Sequence, residues 1–210
     1  MFYNILKSIA QNKSLIRALM NFFLKKYKIY GQVLDIGGGV NPSYLNFLQK
    51  GEDVNIKNFD SKNMAIDFEK DKLPVSDESI DCVLMFNILE HIYNHNFLAQ
   101  EVFRVMKKTG LVIGFVPFLV NYHPDPRDYF RYTGEALQKI FDQAGFKEIK
   151  VKEVGGGPFK VNFNNLIFAF PRIIRLVIFP FYYLADRILI KLKPEVRKRY
   201  PLGYMFTAQK

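Results

Sequence analysis

With 210 residues, 49% of them hydrophobic and 24% charged, the chain has the length and apolar content of one well-cored domain, which excludes wholesale disorder. Cys82 is the single cysteine; this excludes a disulfide framework and a cysteine-based zinc site, and it suits a reducing compartment. The net charge of +10 is uneven: residues 1–30 carry +6, residues 31–154 carry −4 and residues 155–210 carry +8. The basic character therefore belongs to the ends, where it suits an anionic membrane face or nucleic acid.

Residues 4–28 place Ile5, Ile9, Leu15, Leu19, Phe22 and Phe23 at helical spacing with lysines between them, which predicts a basic amphipathic helix or helix pair over residues 1–30. Such a segment either packs across the domain with a solvated lysine face or lies on a membrane. Gln32–Ile36 is a short apolar run before a glycine cluster, the pattern of a buried parallel strand. Pro42 and Ser43 open an expected helix to about Lys50. Val54–Phe59 reads as a second strand ending at Asp60, Met64–Phe68 as a short third, and Ile80–Phe86 as a fourth. A helix over about Phe97–Met106 leads through a turn at Lys107–Gly110 into a fifth strand, Leu111–Val116. Thr133 opens a helix that stops at Gly145; Phe146–Val154 is a sixth strand and Tyr204–Gln209 a last one. Gly155-Gly156-Gly157-Pro158 reads as a hinge into an apolar, basic helical insertion over residues 155–200. Strands alternating with helices predict an α/β core over residues 31–154, with a mostly parallel sheet completed by residues 201–210.

The glycines of Asp35-Ile36-Gly37-Gly38-Gly39 follow a buried strand, where the backbone turns sharply and lets a nucleotide approach. Asp60 ends the next strand, placed to accept hydrogen bonds from ribose hydroxyls. A nicotinamide dinucleotide site shares this geometry. Two details argue against one: Pro42 stands where the third glycine of that fingerprint falls, and Asp35 sits directly before the turn. A pyrophosphate gains nothing from that carboxylate, whereas the sulfonium and amino group of S-adenosylmethionine do.

Asp35-x-Gly37-x-Gly39 resembles the first motif of class I S-adenosylmethionine-dependent methyltransferases. Leu73-Pro74-Val75-Ser76-Asp77-Glu78-Ser79-Ile80-Asp81-Cys82-Val83, followed by Leu89-Glu90-His91, is similar to the signature around their fourth strand, and Glu101 to Gly110 is similar to their following helix and turn. The resemblance implies a Rossmann-like seven-stranded, mostly parallel sheet with helices on both faces and the last strand antiparallel. It implies S-adenosyl-L-methionine as cofactor, held by Asp35, Gly37, Gly39, Asp60 and Asn87, with Glu90 and His91 near its methionine end. The short interval between Asp60 and Leu73 reduces the usual helix there. The adenine-binding acid is then Asp67, with Asp71 as the alternative, and either equally suits a solvated loop. His91 is as well suited to a structural place at the sheet edge, and His95 to an exposed helix start.

Asn121 to Thr133 follows the fifth strand, at the sheet edge where open α/β folds bind ligands. It is similar to a loop of methyltransferases from cell-surface polysaccharide and glycolipid pathways. His123 is the expected general base, Asp128 its orienting partner and Arg131 a holder of phosphate or carboxylate. The competing reading is a turn in which Asp128 and Arg131 pair and His123 caps.

Phe163–Leu192 is crowded with Phe, Ile, Leu and Tyr but broken by Pro171, Arg172, Arg175, Pro180, Asp186 and Arg187, so it reads as interfacial and not spanning. A substrate-covering helical hairpin and a buried dimer interface are the rival readings. The N-terminus lacks the pattern of a signal peptide. These features point to O-methylation of a sugar or lipid-linked glycan acceptor on the cytoplasmic side of a membrane. RNA or protein methylation, with nucleic acid the weaker partner, and a non-catalytic cofactor-binding module are the alternatives.

Overall fold

A computed structural model describes residues 1–60 and 66–210. The central sheet is built from β1 (Gln32–Ile36), β2 (Asn55–Phe59), β3 (Ile80–Phe86), β4 (Met106–Pro117), β5 (Lys147–Gly155) and β6 (Pro201–Gln209). Its order is β2-β1-β3-β4-β6-β5. The first four strands run parallel, and β6 is antiparallel to both of its neighbours. Tyr204–Gln209 thus lies in the expected antiparallel last strand, which begins earlier, at Pro201.

Six strands stand in this sheet among the described residues, against the seven expected. Met64 and Ala65, the start of the expected third strand, lie outside the described residues, and Ile66 to Phe68 are not in a strand. The helix expected after Pro42 is a single 3₁₀ turn, Ser43–Phe47. Leu48 is already extended, because Gln49–Lys50 pairs in parallel with Lys28–Ile29 and takes the chain out of the helix. The expected Lys107–Gly110 turn is part of β4.

Alternation along the strands sorts the core into two layers. Val83 and Met85 of β3 face one side, with Leu34, Ile36, Val112, Val116 and Phe206, under α3 (His95–Val105) and α4 (Gly134–Gln143). Cys82, Leu84 and Phe86 face the other, with Val33, Ile113, Phe115 and Met205. That layer is covered by α1 (Phe2–Ala10), α2 (Leu15–Leu24), α5 (Pro158–Leu166) and α6 (Arg172–Leu192). The apolar residues of the N-terminal segment, Ile5, Ile9, Leu15, Leu19 and Leu24, are buried in it, so α1 and α2 pack against the domain. Ser14 caps α2 by accepting from the Arg17 N–H, and Thr133 caps α4 by accepting from the Ala136 N–H.

The three glycines before α5 form a packed turn and not a hinge. All have positive φ, and a Cβ on Gly157 would lie 2.2 Å from Asp186 Cγ. The Asp186 carboxylate of α6 is buried at the α5 N-terminus, accepting from the Phe159 and Lys160 N–H groups at 3.1 and 2.7 Å. That anion compensates the positive helix end and joins α5 to α6. No helix among the described residues is long and apolar enough to cross a membrane.

Candidate functional site

The carboxyl ends of β1 and β3 open onto a cavity of about 540 Å³. Gly37, Gly38 and Asn87 line it, together with Arg17 and Met20 of α2, Tyr44, and His91 and His123. Beside it lies a second cavity of about 370 Å³, lined by Gly39, Asn41, Leu45, Ile56, Asn58 and Asp60. The glycine turn therefore fronts both cavities. Gly37 and Gly39 have φ of +80° and +65°, which glycine adopts without the penalty a side chain brings. The Gly37 N–H donates to the Phe59 carbonyl at 2.7 Å, fixing the turn to the end of β2 and bringing Asp60 beside Gly39.

Asp35 stands behind this turn. It is fully buried, and the Tyr44 hydroxyl lies 2.6 and 2.7 Å from its two carboxylate oxygens. Burial pushes its pKa up to about 6, and the tyrosine hydrogen bond opposes the rise. A Cβ on Gly38 would fall 2.3 Å from Asp35 Oδ2 and 2.4 Å from the Tyr44 oxygen. Only glycine fits between this pair and the cavity. Asn58 donates to the Gly39 carbonyl, while its Oδ1 is buried without a partner among the described residues.

Asp67 lines neither cavity. Its carboxylate accepts from the Glu69 N–H at 3.0 Å and pairs with Lys70 at 3.0 Å, while its own N–H donates to Asp71. The structure thus brings Asp60, Gly37, Gly39 and Asn87 to the cavities and sets Asp67 and Asp71 in a turn of their own. Asn87 has φ +53°, and its N–H donates to the Phe115 carbonyl at 2.9 Å.

The 121–132 loop folds over the Leu89–His91 turn. The Tyr129 N–H donates to the Glu90 carbonyl at 2.8 Å and the Tyr132 hydroxyl to the Leu89 carbonyl at 3.1 Å. Asp128 and Arg131 form a two-pronged ion pair at 2.5 and 2.6 Å, and the Asp128 side chain is almost wholly buried. Arg131, reinforced by the His123 N–H, holds the Asp128 pKa down at about 2. Asp128 and Arg131 are thus spent on each other and on the loop, and neither lines the cavity, whereas His123 does. The Glu90 carboxylate, with an oxygen 3.8 Å from His123 Nε2, is the largest cause of a rise in the His123 pKa above its ordinary value, and burial opposes it. His95 begins α3 as expected, but its ring packs on Phe130 and Tyr132 at 5.2 and 5.5 Å and is half-buried.

Sequence reasoning missed Tyr44, Arg17, Met20 and Asn164, which enter from outside the motifs. Asn164 of α5 accepts from the Ile16 N–H at 2.9 Å and so joins the insertion to α2 at the cavity rim. A polar or cationic residue on an otherwise apolar helix face is the one signal available, and Arg17 among Leu15, Ala18 and Leu19 gives it.

Residues 8–151 match a family model described as a methyltransferase domain. The chain belongs to this methyltransferase-domain family. Among curated proteins it is 25% identical over 93 residues to a protein of Mycobacterium tuberculosis (strain H37Rv) named as a probable S-adenosylmethionine-dependent methyltransferase, covering 41% of this chain and 34% of that one. A Mycolicibacterium smegmatis protein with a similar name is 26% identical over 82 residues, covering 36% of this chain and 32% of that one. The matched region thus spans about a third of these curated relatives. The methyltransferase-domain fold is also shared with phosphoethanolamine N-methyltransferase 2 of Haemonchus contortus, solved with phosphomonomethylethanolamine and S-adenosylhomocysteine: TM-score 0.56 and 16% identity, covering 91% of this chain and 52% of that one. The [4+2]-cyclase SpnF matches with TM-score 0.53 and 15% identity, covering 93% of this chain and 81% of that one.

Proposed function

We propose that the chain is an S-adenosylmethionine-dependent methyltransferase that methylates a hydroxyl of a sugar or lipid-linked intermediate, working at the cytoplasmic face of an anionic membrane. The observation that carries the cofactor is the Gly37–Gly39 turn: it fronts both cavities, Gly38 leaves no room for a Cβ, and Asp60 and Asn58, whose Oδ1 has no partner among the described residues, border the second cavity. Two hydroxyl groups and an amino group are ligands that such acceptors suit. When bound, the cofactor supplies an electrophilic methyl on a sulfonium. The chain's own residues then align and shield. Arg17 gives the larger cavity a cation for an anionic group, and Met20, Phe86, Phe115 and Phe168 make part of its wall apolar. The acceptor enters at the end lined by Asn121 and His123.

The lipid half of the reading rests on α6. Its inner face is Arg175, Phe179 and Asp186, all buried; its outer face exposes Ile173, Val177, Phe181, Leu184, Ile188 and Leu192 as one stripe. Exposed Arg172, Arg187 and Lys191 accompany the stripe, the composition of a helix lying in an anionic lipid interface.

Transfer of labelled methyl to lipid-linked sugars, water-soluble sugars and RNA tests the acceptor, and flotation with anionic and neutral vesicles tests the surface. Transfer to the lipid-linked class with flotation on anionic vesicles is expected. Transfer to RNA alone, or a stable dimer that does not float, contradicts the reading.

A further inference from the structure

The environment of the Glu90 carboxylate is unusual. Its side chain is fully buried, yet neither carboxylate oxygen has a hydrogen-bond partner among the described residues. Burying a carboxylate in that condition is costly, and such groups are normally paired or bound to a cation. Two imidazoles face it: His91 Nε2 is 3.7 Å and His123 Nε2 3.8 Å from Glu90 Oε1. One ligand atom from each of the three residues lies within 4.8 Å of the others.

The far nitrogens decide what the near ones present. His91 Nδ1 lies 2.5 Å from the Arg127 carbonyl and His123 Nδ1 2.9 Å from the Asn121 carbonyl. A carbonyl only accepts, so each Nδ1 carries a proton; each Nε2 then shares a second proton with Glu90 or, on losing it, offers its lone pair to a cation that Glu90 also binds. The Asp128 carboxylate, 3.6 Å from His123 Nδ1, favours the same tautomer; Arg131 Nη2, at 3.4 Å, is the weaker and longer contact. Imidazoles tied through one nitrogen to a carbonyl or carboxylate are the arrangement that orients histidine toward a metal. Ligands about 2.1 Å from a cation at tetrahedral or wider angles stand about 3.4–3.6 Å apart, so the two distances from Glu90 to the imidazoles need to shorten only slightly.

We infer that Glu90, His91 and His123 form a binding site for one first-row divalent cation, with open coordination positions directed to the 540 Å³ cavity that both histidines line. Two imidazoles and one carboxylate suit zinc, cobalt or iron(II) better than magnesium or calcium, which favour oxygen donors. The backbone bonds from Tyr129 to Glu90 and the Tyr132 hydroxyl to Leu89 hold the two ligand-bearing segments together. With a cation in place, His123 is a ligand and not the base, and neighbouring oxygens of an acceptor take the open positions. This last point rests on the methyl-transfer reading; cation binding does not.

The test is cobalt(II) titration of the untagged full chain after chelator treatment, followed by visible absorption and calorimetry, with S-adenosylhomocysteine binding as the control for an intact fold. Cobalt reports coordination directly, and a tag-free chain leaves His95 as the only other histidine. One cobalt per chain with a visible band is expected. Glu90→Gln, His91→Ala and His123→Ala should each weaken binding by roughly 100-fold or more in chains that stay folded by circular dichroism, since even losses behind the ligands cost 10–100-fold. His95→Gln should leave the band unchanged. Absence of cobalt binding by a chain that binds S-adenosylhomocysteine overturns the site, as does a band that survives Glu90→Gln at full affinity. Failure to bind S-adenosylhomocysteine with an intact cobalt band would overturn the methyl-transfer reading and leave the cation site standing.

Discussion

The Tyr44 hydroxyl lies 2.6 and 2.7 Å from the two oxygens of the buried Asp35 carboxylate, directly beneath Gly38. The tyrosine thereby contacts both oxygens of the acid that the sequence expected at the cofactor, and the pair packs against the glycine turn. Tyr44→Phe leaves a buried carboxylate without its phenol donor, which costs about 1–3 kcal/mol. Urea unfolding should show that loss, together with weaker S-adenosylhomocysteine binding through the loosened turn.

Asp35 also sets a pH dependence. Its pKa is raised by burial to about 6, so the folded chain holds this proton more tightly than the unfolded one. Stability therefore falls as pH rises from about 4 to about 6, by an amount on the order of 3 kcal/mol, and this contribution is constant above that window. Asp35→Asn should remove the slope in unfolding curves measured across that range.

Asp128 has the opposite sign. Arg131 depresses its pKa to about 2, so its stabilisation is present above about pH 4 and is lost as pH falls through about 2. Asp128→Asn should cost about 2 kcal/mol at pH 7 and flatten the acid limb below pH 4, because the neutral amide no longer balances Arg131.

On the outer face of α6, Val177, Phe181 and Ile188 are exposed on one stripe of the helix. Replacing all three by serine removes apolar groups worth about 1–3 kcal/mol each in a lipid interface. Flotation with anionic vesicles should fall by at least about 10-fold, with the melting temperature nearly unchanged, since none of the three lies in the core.

The frame of the fold was legible because its signals are local. The apolar run Ile80–Phe86 and the glycines after Ile36 each carry their own pattern, and both stand where the sequence placed them. What failed was set by pairing at a distance. The helix expected after Pro42 shrank to one turn because Gln49–Lys50 finds a strand partner at Lys28–Ile29, and nothing in residues 42–50 announces that partner. The site was legible at Asp60, Asn87 and His123, which follow strands. Tyr44 and Arg17 were not, since their reach into the cavity depends on how α2 and the 3₁₀ turn pack over the sheet. The Asp128–Arg131 pair was legible in its spacing, but its near-complete burial was not.

The central claim is that the glycine turn and Asp60 hold S-adenosylmethionine. Calorimetric titration of S-adenosylhomocysteine into the wild-type chain, Gly38→Ala and Asp60→Ala tests it most directly. A Cβ on Gly38 collides with Asp35 and Tyr44, and loss of the Asp60 carboxylate removes an acceptor bordering the second cavity. One ligand per wild-type chain is predicted, with each variant folded and at least about 10-fold weaker, or about 1.4 kcal/mol. No binding by a folded wild-type chain, or equal affinity in all three proteins, would contradict the account.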